Sequence, residues 1–332
     1  MRRLAAYRWE LLLVALTLGA AGWATVLSPY YLNFDQITYS LQQSMAVPAV
    51  IAAGLMVIVV IGEIDISLPA ILALGNILFA HFSQSGAPVW LAALAVVAVG
   101  IAAGALNGAL VVAFGLPSLA VTLGMMGAYR AFALLVGGQE GYAAFDDSYV
   151  WLGSAQIADV IPASLVLVAI VFALFTFVMH GTVYGRLCYV IGNNARAARL
   201  SGVRVALIKV AAFAIGGAMA ALASLVYVGQ YQSARADNAS DILLFIVSAV
   251  VLGGVDIFGG RGNVVGVLLA LLLLGTLKNG MGLANFPGPV QTLVVGTLLV
   301  VAVLIPRLAE LNRARPSLRQ RRPATEPGGE PP

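Results

Sequence analysis

Ten apolar segments, each close to the length that crosses a bilayer, limit the possible fold more than any other feature. A spanning α-helix needs about 20 mostly apolar residues. The chain is 61% hydrophobic and only 10% charged, whereas soluble domains carry about 25% charged residues. We therefore predict an all-α polytopic membrane protein; barrel strands alternate and lack such runs. The predicted spans are residues 11–27, 44–62, 67–83, 89–114, 117–136, 161–180, 206–229, 241–258, 263–281 and 288–306.

The distribution of charge predicts the orientation of these ten spans. With the N-terminus inside, residues 181–205 and everything after 306 face the cytoplasm, and together they contain ten arginines. The segments 28–43, 137–160 and 230–240 then lie outside and hold six acidic residues against one arginine, Arg235. Because cytoplasmic loops are enriched in Lys and Arg, we expect both termini to be cytoplasmic.

Three regions outside the spans carry simple expectations. An uncleaved first span is favoured over a signal peptide cut near Ala24, since the apolar run continues and further spans follow. Residues 28–43, aromatic and polar, predict a short interfacial helix on the outer surface. Residues 1–312 form one membrane domain, and the Arg-, Pro- and Gly-rich tail 313–332 is predicted to be disordered.

The chain also contains an internal echo. Residues 59–66 read VVIGEIDI and residues 250–257 read VVLGGVDI, each between two apolar segments at the predicted cytoplasmic edge. Glycine-interrupted hydrophobic segments at matching positions of two repeats point to the central site of a transporter. The echo therefore predicts two weakly similar halves, although chance similarity of two glycine-containing edges is the alternative.

The sequence lacks the residues that several kinds of catalytic and binding site require. The sequence has no G-x-x-x-x-G-K-[ST], and its only lysines are Lys209 and Lys278, so a P-loop that binds ATP is excluded. It has no H-E-x-x-H and only two histidines, His81 and His180. We predict no catalytic residue, metal site or cofactor, no enzymatic activity and no nucleic-acid partner.

Polar residues within or beside the apolar segments are the candidates for a transport pathway. A carboxylate in hydrocarbon is costly, so it faces a water-filled path, a basic partner or the interface. Carboxylates in solvated cytoplasmic turns are an equally good interpretation. Arg130 lies mid-span, and a structural partner is favoured over direct contact with a solute. The pathway candidates are Glu63, Asp65, Asn76, Asn107, Arg130 and Asp256.

The polar, basic segment 184–205 (YGRLCYVIGNNARAARLSGVRV) lies between two spans and contains no acidic residue. We interpret it as the surface through which a soluble partner acts on the membrane protein. Cys188, the single cysteine, is interpreted as a small filler residue. On the predicted topology we expect an impermeant thiol reagent to reach it only from the cytoplasm.

Four motifs, in order, resemble the permease subunits of bacterial ABC importers for monosaccharides, the ribose, galactose, xylose and rhamnose group. They are GEIDIS at 62–67, PSLAVTLGMMGAYRAFALLVGG at 117–138, IGNNARAARLSGV at 191–203 and VVLGGVDIFGGRGNVVGVLLALLLLG at 250–275. The similarity extends over about residues 10–306. Within that group the sequence is most similar to rhamnose-type permeases. The two features that favour them are Glu63, where the family often has glycine, and SARADNAS at 233–240.

This resemblance implies a multi-pass protein of the bacterial inner membrane that imports a monosaccharide by alternating access. It implies three protein partners: an ABC ATPase that binds the ATP, a second permease, identical or paralogous, and a periplasmic sugar-binding protein, with lipid around the membrane domain. Arg196-Ala197-Ala198 and Gly202 match the spacing of ABC coupling loops, although arginine replaces the usual glutamate. The implied ATPase-coupling residues are Gly192, Asn193, Asn194, Arg196, Ala197, Ala198, Arg199 and Gly202.

Two other classes of function stay open from the residues alone. An ion-coupled secondary transporter of a small polar solute would use Glu63, Asp65 and Arg130 and would need no ATPase. A membrane scaffold or membrane enzyme is the third interpretation. Transport by the isolated chain on an ion gradient separates the first of these from an ATP-driven importer.

Overall fold

The computed structural model describes residues 8–27 and 31–314, and side chains as far as residue 304. This part of the chain forms twelve α-helices and four two-residue strands. In order they are α1 (Arg8–Leu27), α2 (Phe34–Val60), α3 (Leu68–Gln84), α4 (Val89–Phe114), α5 (Ser118–Gly137), β1 (Tyr142–Ala143), α6 (Asp147–Ser154), β2 (Gln156–Ile157), β3 (Ile161–Pro162), α7 (Ala163–Thr176), α8 (Val183–Leu200), α9 (Val205–Tyr231), β4 (Ser233–Ala234), α10 (Ile242–Leu252), α11 (Val264–Leu283) and α12 (Gly288–Ala314).

Each of the ten predicted spans corresponds to one helix. Seven are long and apolar enough to cross a membrane: α1, α2, α4, α5, α9, α11 and α7, which continues as a π-helical turn to Gly181. The other three, α3, α10 and the described apolar part of α12 (Gly288–Leu304), are shorter apolar helices. The predicted all-α polytopic fold is therefore confirmed. Arg313 and Ala314 are still helical, and the rest of the predicted tail lies outside the described residues.

The predicted interfacial helix at 28–43 is wrong for its described part. Phe34 begins α2, and the same helix continues without a break through the span. Asn33 caps it, since its side-chain oxygen accepts a hydrogen bond from the Asp35 N–H at 2.9 Å. One side of this polar first part packs on the protein through Ser40 and Gln42, which are buried, while Phe34 and Tyr39 are exposed.

The predicted span 241–258 is also too long. The helix α10 has only 11 residues, about 17 Å at 1.5 Å per residue, and Gly253 ends it. Irregular backbone at membrane depth is tolerated only where protein or a water-filled cavity surrounds it. Gly253, Val255 and Gly260 in the following loop are buried, which meets that condition.

Helices α2 and α9 form the centre of the bundle. From Met45 to Val60 every residue of α2 is buried, as expected of a helix that is apolar on all sides. The helix α9 crosses α4 at very short range, because Gly100 and Gly104 face Phe213 and Gly217 with no side chain between the backbones. Small residues let helices approach in this way where lipid gives no hydrophobic drive for association.

Polar contacts group the connecting segments at two opposite ends of the bundle. At one end the Trp9 Nε1–H donates to the Leu252 carbonyl at 2.8 Å, beside the loops that precede α3 and α11. At the other, Tyr142 and Ala143 pair antiparallel with Ala234 and Ser233. The first end holds the segments that the charge distribution places in the cytoplasm, and the second holds those it places outside the cell membrane. We call them the inner and the outer end; which end faces the cytoplasm stays a prediction.

Replacement of Gly104 by alanine tests the close packing of α4 on α9. A Cβ atom at Gly104 would overlap the Phe213 carbonyl oxygen, so we expect a loss of about 1–3 kcal/mol, the usual cost of overpacking. The control is Gly124→Ala on α5, where nothing lies within 4 Å. It should be neutral or stabilising, by at most about 1 kcal/mol. Thermal unfolding in detergent compares the two, and equal midpoints would contradict the packing.

Candidate functional site: the inner junction and the outer cavity

The two echo sequences fold into the same helix ending. Helix α2 stops with Gly62 at φ 80°, and the Gly62 and Glu63 N–H groups donate to the Val59 and Ile58 carbonyls. Helix α10 stops with Gly254 at φ 86°, and the Gly254 and Val255 N–H groups donate to Val251 and Val250. This is the Schellman pattern, which favours glycine because the left-handed conformation is strained for other residues.

An aspartate follows each of these endings and organises the next turn. Asp65 Oδ1 accepts a hydrogen bond from the Ser67 N–H at 2.8 Å, and Asp256 Oδ1 accepts one from the Phe258 N–H at 3.0 Å. Each is an aspartate that bonds the backbone two residues on, the typical Asx turn. The local structure thus repeats in both halves, although the second loop reaches its aspartate one residue sooner.

We call Ile61–Ser67 the first loop and Gly253–Asn263 the second loop, and the two are in direct contact. The Gly260 N–H donates to the Val60 carbonyl at 2.8 Å, and Gly259 lies against the Gly62 backbone. The Asp256 N–H donates to the Arg261 carbonyl at 3.1 Å, so these two residues meet through the backbone. The junction brings together the ends of α2 and α10 and the starts of α3 and α11.

Helix α8 lies against this junction. Gly192 has no room for a side chain, because the Val60 carbonyl and the Gly260 N–H occupy the position of a Cβ atom. Asn193 donates from Nδ2 to the Gly260 carbonyl at 3.1 Å, and the Tyr189 hydroxyl donates to the Gly262 carbonyl at 3.0 Å. Helix α8 is therefore in direct backbone and hydrogen-bond contact with the second loop.

A break at Asn194 divides α8 into two parts. Asn194 has φ −161° and ψ 93°, and its side-chain oxygen accepts from the Ala197 N–H at 2.9 Å, which makes it the N-cap of the part that follows. That part ends at Gly202, φ 83°, where the Val203 N–H donates to the Ala198 carbonyl. The predicted coupling segment is thus a short capped helix after a kink.

The short helix presents an exposed, basic surface. Of the predicted coupling residues, Gly192 and Ala198 face the protein, and Arg196, Ala197, Arg199 and Gly202 are exposed. Leu200 is 83% exposed and Phe258, at the tip of the second loop, is 86% exposed. Sequence reasoning did not select either apolar residue, although a lone phenylalanine in a glycine-rich turn is a readable signal.

Asp65 and Asn107 belong to one buried hydrogen-bonded network. Both are completely buried, and Asn107 Nδ2 lies 3.3 Å from Asp65 Oδ2 and 2.8 Å from the Ser67 hydroxyl. The Tyr129 hydroxyl lies 2.9 Å from Asn107 Oδ1 and 2.8 Å from the Ala103 carbonyl. The network ties α3, α4 and α5 together beside the first loop and satisfies the polar groups that burial would otherwise penalise.

Glu63 forms an ion pair with Lys209 of α9. Their side chains are 13% and 20% exposed, so the pair is partly shielded from water. They border a cavity of about 230 Å³ whose walls also include Arg199. Glu63, which stands where the family often has glycine, thus links the first loop to Lys209 in the second turn of α9, a partner that the sequence alone did not identify.

The remaining two candidates lie elsewhere. Asn76 is completely buried on α3, and neither atom of its amide has a hydrogen-bond partner within the described part of the chain. Arg130 Nη1 donates to the Ala236 carbonyl at 2.6 Å in the outer loop after α9. Arg130 therefore has a structural partner within the protein, as expected. The inner junction therefore unites Glu63, Asp65 and Asp256, and a pathway role for all six residues stays a prediction.

The outer half of the bundle holds a cavity that sequence reasoning missed. It lies between α2, α9, α10 and α11 and is lined by Lys278 and Asp241 among others. A lysine inside the predicted span 263–281 was the available signal, since ionisable residues in spans are rare and usually functional. No group of three or more His, Cys, Asp or Glu side chains among the described residues is placed to hold a metal ion.

Comparison with known proteins identifies relatives along most of the chain. The family model described as branched-chain amino acid transport system, permease component, matches residues 37–303. The autoinducer 2 import system permease protein LsrD of Klebsiella pneumoniae is 33% identical over 302 residues, which cover 89% of this chain and 90% of that protein. LsrD of Yersinia enterocolitica is 31% identical over 313 residues, 92% of this chain and 94% of that protein.

No solved structure matches the chain. The relatives named here are autoinducer 2 importers, so they give no support to the inclination toward rhamnose-type permeases.

Removal of one partner of the Glu63–Lys209 pair should destabilise the protein. A charge-assisted hydrogen bond of this kind contributes about 1.5–3 kcal/mol, so we expect Glu63→Gln and Lys209→Met each to lower stability. The exchanged pair, Glu63→Lys with Lys209→Glu, should recover most of the loss. A double-mutant cycle on thermal unfolding measures the coupling, and additive single effects would show that the pair contributes nothing.

Cys188 should resist labelling from both sides of the membrane, which corrects the expectation that a reagent reaches it from the cytoplasm. It is completely buried, and burial raises the pKa of its thiol to about 11. At pH 7–8 the thiol is therefore protonated, and only the thiolate reacts. An impermeant maleimide should label Cys188 only after denaturation.

The exposed Ser201 supplies the matched test of orientation. Ser201→Cys in a Cys188→Ala background should be labelled in permeabilised cells and not in intact ones, because Ser201 lies on the inner surface. Labelling of this variant in intact cells would reverse the predicted topology.

Proposed function

The chain belongs to the permease family that matches residues 37–303, a family of ABC-type importers, and we propose that it imports a monosaccharide-class solute by alternating access. It is a multi-pass protein of the bacterial inner membrane. A separate ATPase supplies the energy, a periplasmic binding protein delivers the solute, and a second permease, identical or paralogous, completes the pathway. ATP binds to the ATPase and not to this chain.

One observation carries this proposal: the exposed basic helix α8 is packed directly on two loops that interrupt the membrane bundle. The outward part, Ala195–Leu200, is available to a soluble partner, while Gly192 and Asn193 contact the second loop. A push on the exposed part would reach the backbone junction of α2, α3, α10 and α11 through Asn194, where α8 is kinked and capped. Such a lever is useful in a protein whose transport is driven by a soluble partner at the membrane surface.

The same lever has a second arm through α9. Only Ser201–Arg204 separate α8 from α9, and Lys209 in the first turn and a half of α9 binds Glu63 of the first loop. Movement of α8 thus acts on the second loop directly and on the first loop through α9. The outer cavity, of about 180 Å³, lies at the end of the bundle opposite this lever, where alternating access would admit the solute.

The relatives and the polar wall of the outer cavity support the proposed solute class. The relatives found import autoinducer 2 by name, and we propose a small polyhydroxylated molecule of similar size as the solute here. The outer segments 137–160 and 230–240, linked by the β1–β4 pair, are the proposed docking surface for the binding protein.

The ion-coupled alternative has less support. A carrier needs a carboxylate that takes up and releases an ion in the pathway, whereas Asp65 accepts hydrogen bonds from Ser67 and Asn107 in a closed, buried network. Glu63 is occupied by Lys209. Neither carboxylate is free in the way that an ion-binding site requires.

Leu200→Glu tests the proposed docking surface. Leu200 is 83% exposed and its loss removes no internal contact, so the protein should still fold. A hot-spot side chain at an interface costs about 2 kcal/mol or more when it is truncated, about 30-fold in affinity, and if Leu200 is such an anchor, a new negative charge on a basic surface adds to the loss. We expect a P-loop ATPase to co-purify with the tagged wild-type chain and to be lost from Leu200→Glu.

Gln139→Glu, on the outer surface, is the control and should retain the ATPase. Gly202→Trp is unsuitable, because Gly202 at φ 83° would strain any other residue and confuse folding with docking. Absence of a P-loop ATPase from the wild-type preparation, together with uptake by the isolated chain on an ion gradient alone, would overturn the importer proposal.

A further inference from the structure

The outer cavity has an unusually polar wall for a space inside a membrane bundle. It is a partly open pocket bordered by α2, α9, α10 and α11 of this one chain and has a volume of about 180 Å³, room for on the order of ten water-sized groups. That is the size of a single sugar ring with its hydroxyl groups. The hydrogen-bonding side chains on its wall are Gln43, Ser44, Tyr227, Tyr231, Asp241 and Lys278.

Lys278 is the most informative of these residues. It lies 14 residues after the start of α11 at Val264, about 21 Å along the helix, and so within the predicted span. Its ammonium group lies 5.8 Å from the centre of the Phe245 ring on α10. Phe245 lies three residues from the outer end of α10 and Lys278 five residues from the outer end of α11, so the lysine side chain reaches across the cavity toward the first turn of α10.

The cavity wall offers acceptors and an aromatic surface as well as this donor. Asp241 precedes α10 by one residue and lies one helical turn from Phe245, so a carboxylate stands at the mouth of the cavity. Tyr227 and Tyr231 are one turn apart on α9, with ring centres 4.4 Å from each other. Together the two rings form an aromatic wall on which the C–H face of a sugar ring can pack.

We propose that this cavity is a binding site for the transported solute, a neutral ring that carries several hydroxyl groups. Lys278 donates hydrogen bonds to the hydroxyl oxygens, Asp241 accepts hydrogen bonds from the hydroxyl hydrogens, and the Tyr227–Tyr231 wall contacts the apolar face of the ring. The inference rests on the proposed import of a polyhydroxylated solute and assigns its recognition to six residues of this chain.

A zwitterionic amino acid is the main competing occupant, since Lys278 and Asp241 carry opposite charges. Its carboxylate and ammonium groups would pair with these two residues and make little use of the other four polar side chains on the wall. A ring with several hydroxyl groups can pair with all six, and the polar wall therefore favours the sugar-like solute.

A second cavity adjoins the first and shares Asp241, Phe245 and Lys278 with it. It continues along α12, where Gln291 and Thr292 supply further polar groups. Lys278 therefore stands between two polar spaces, where one side chain can contact a solute in either of them.

Protection of an engineered cysteine tests the site without knowledge of the natural solute. Ser44→Cys in a Cys188→Ala background places one thiol on the cavity wall of the full chain in lipid nanodiscs. The rate at which a small neutral maleimide labels it is measured with D-ribose, D-xylose, D-galactose or L-leucine at equal concentrations. We expect at least one sugar to slow the labelling several-fold and L-leucine to have no effect.

Lys278→Met and Asp241→Asn should each raise the sugar concentration needed for half-protection by about tenfold or more, and Lys278→Arg should retain protection. Ser85→Cys, at an exposed position outside the cavity, controls for effects of the sugars on the reagent and should show no protection. Absence of protection by all three sugars, protection by L-leucine instead, or equal slowing in the Ser85→Cys control overturns the site.

This experiment and the ATPase co-purification fail independently. Protection without a bound ATPase would retain the solute site and reject the ATP-driven mechanism. A bound ATPase without protection would do the reverse.

Discussion

The contact of the two glycine-ended loops is the interaction on which the rest of the structure depends. A backbone hydrogen bond from Gly260 to Val60 joins them, and Gly192 of α8 fits against both partners because it has no side chain. Three chain segments that are far apart in sequence thus meet through backbone atoms. Backbone contact at this distance leaves no side-chain layer between the segments, so the junction is suited to the coupling role proposed for α8.

Polar groups around the junction are arranged to hold each segment in one position. The Asp65–Ser67–Asn107 network fixes the first loop to α4, and Glu63 fixes the same loop to α9. On the other side, Trp9 of α1 binds the Leu252 carbonyl at the end of α10. Buried polar networks give specific geometry when all their members are satisfied, and here they define which elements can move together.

The two ends of the bundle therefore have different chemistry. The inner end combines tight backbone packing with an exposed basic helix, which suits a mechanical connection to a soluble protein. The outer end combines a small polar cavity with loops tied by short hydrogen-bonded contacts, such as Arg130 with the Ala236 carbonyl. This division allows energy input at one end and solute recognition at the other, within one chain.

Sequence alone determined the features that local chemistry controls. The length of the apolar segments specifies the ten spanning helices, since backbone groups in lipid must be satisfied within the helix. Glycine followed by aspartate specifies how the two loops begin, and Asn194 and Gly202 specify where the short helix of the coupling segment begins and ends. The polar start of α2 was misread as interfacial, because only its neighbours in space show that Ser40 and Gln42 are buried.

Tertiary structure decided everything that depends on which segments are neighbours. The pairing of Glu63 with Lys209 joins residues 146 positions apart, and no local pattern encodes it. Lys278 was visible as a charge in a span, but only the packing of α10 and α11 shows that it faces Phe245 and a cavity. The physical reason is the same in each case. The sequence determines which groups can donate, accept or carry charge, whereas the fold determines which of these groups lie close enough to interact.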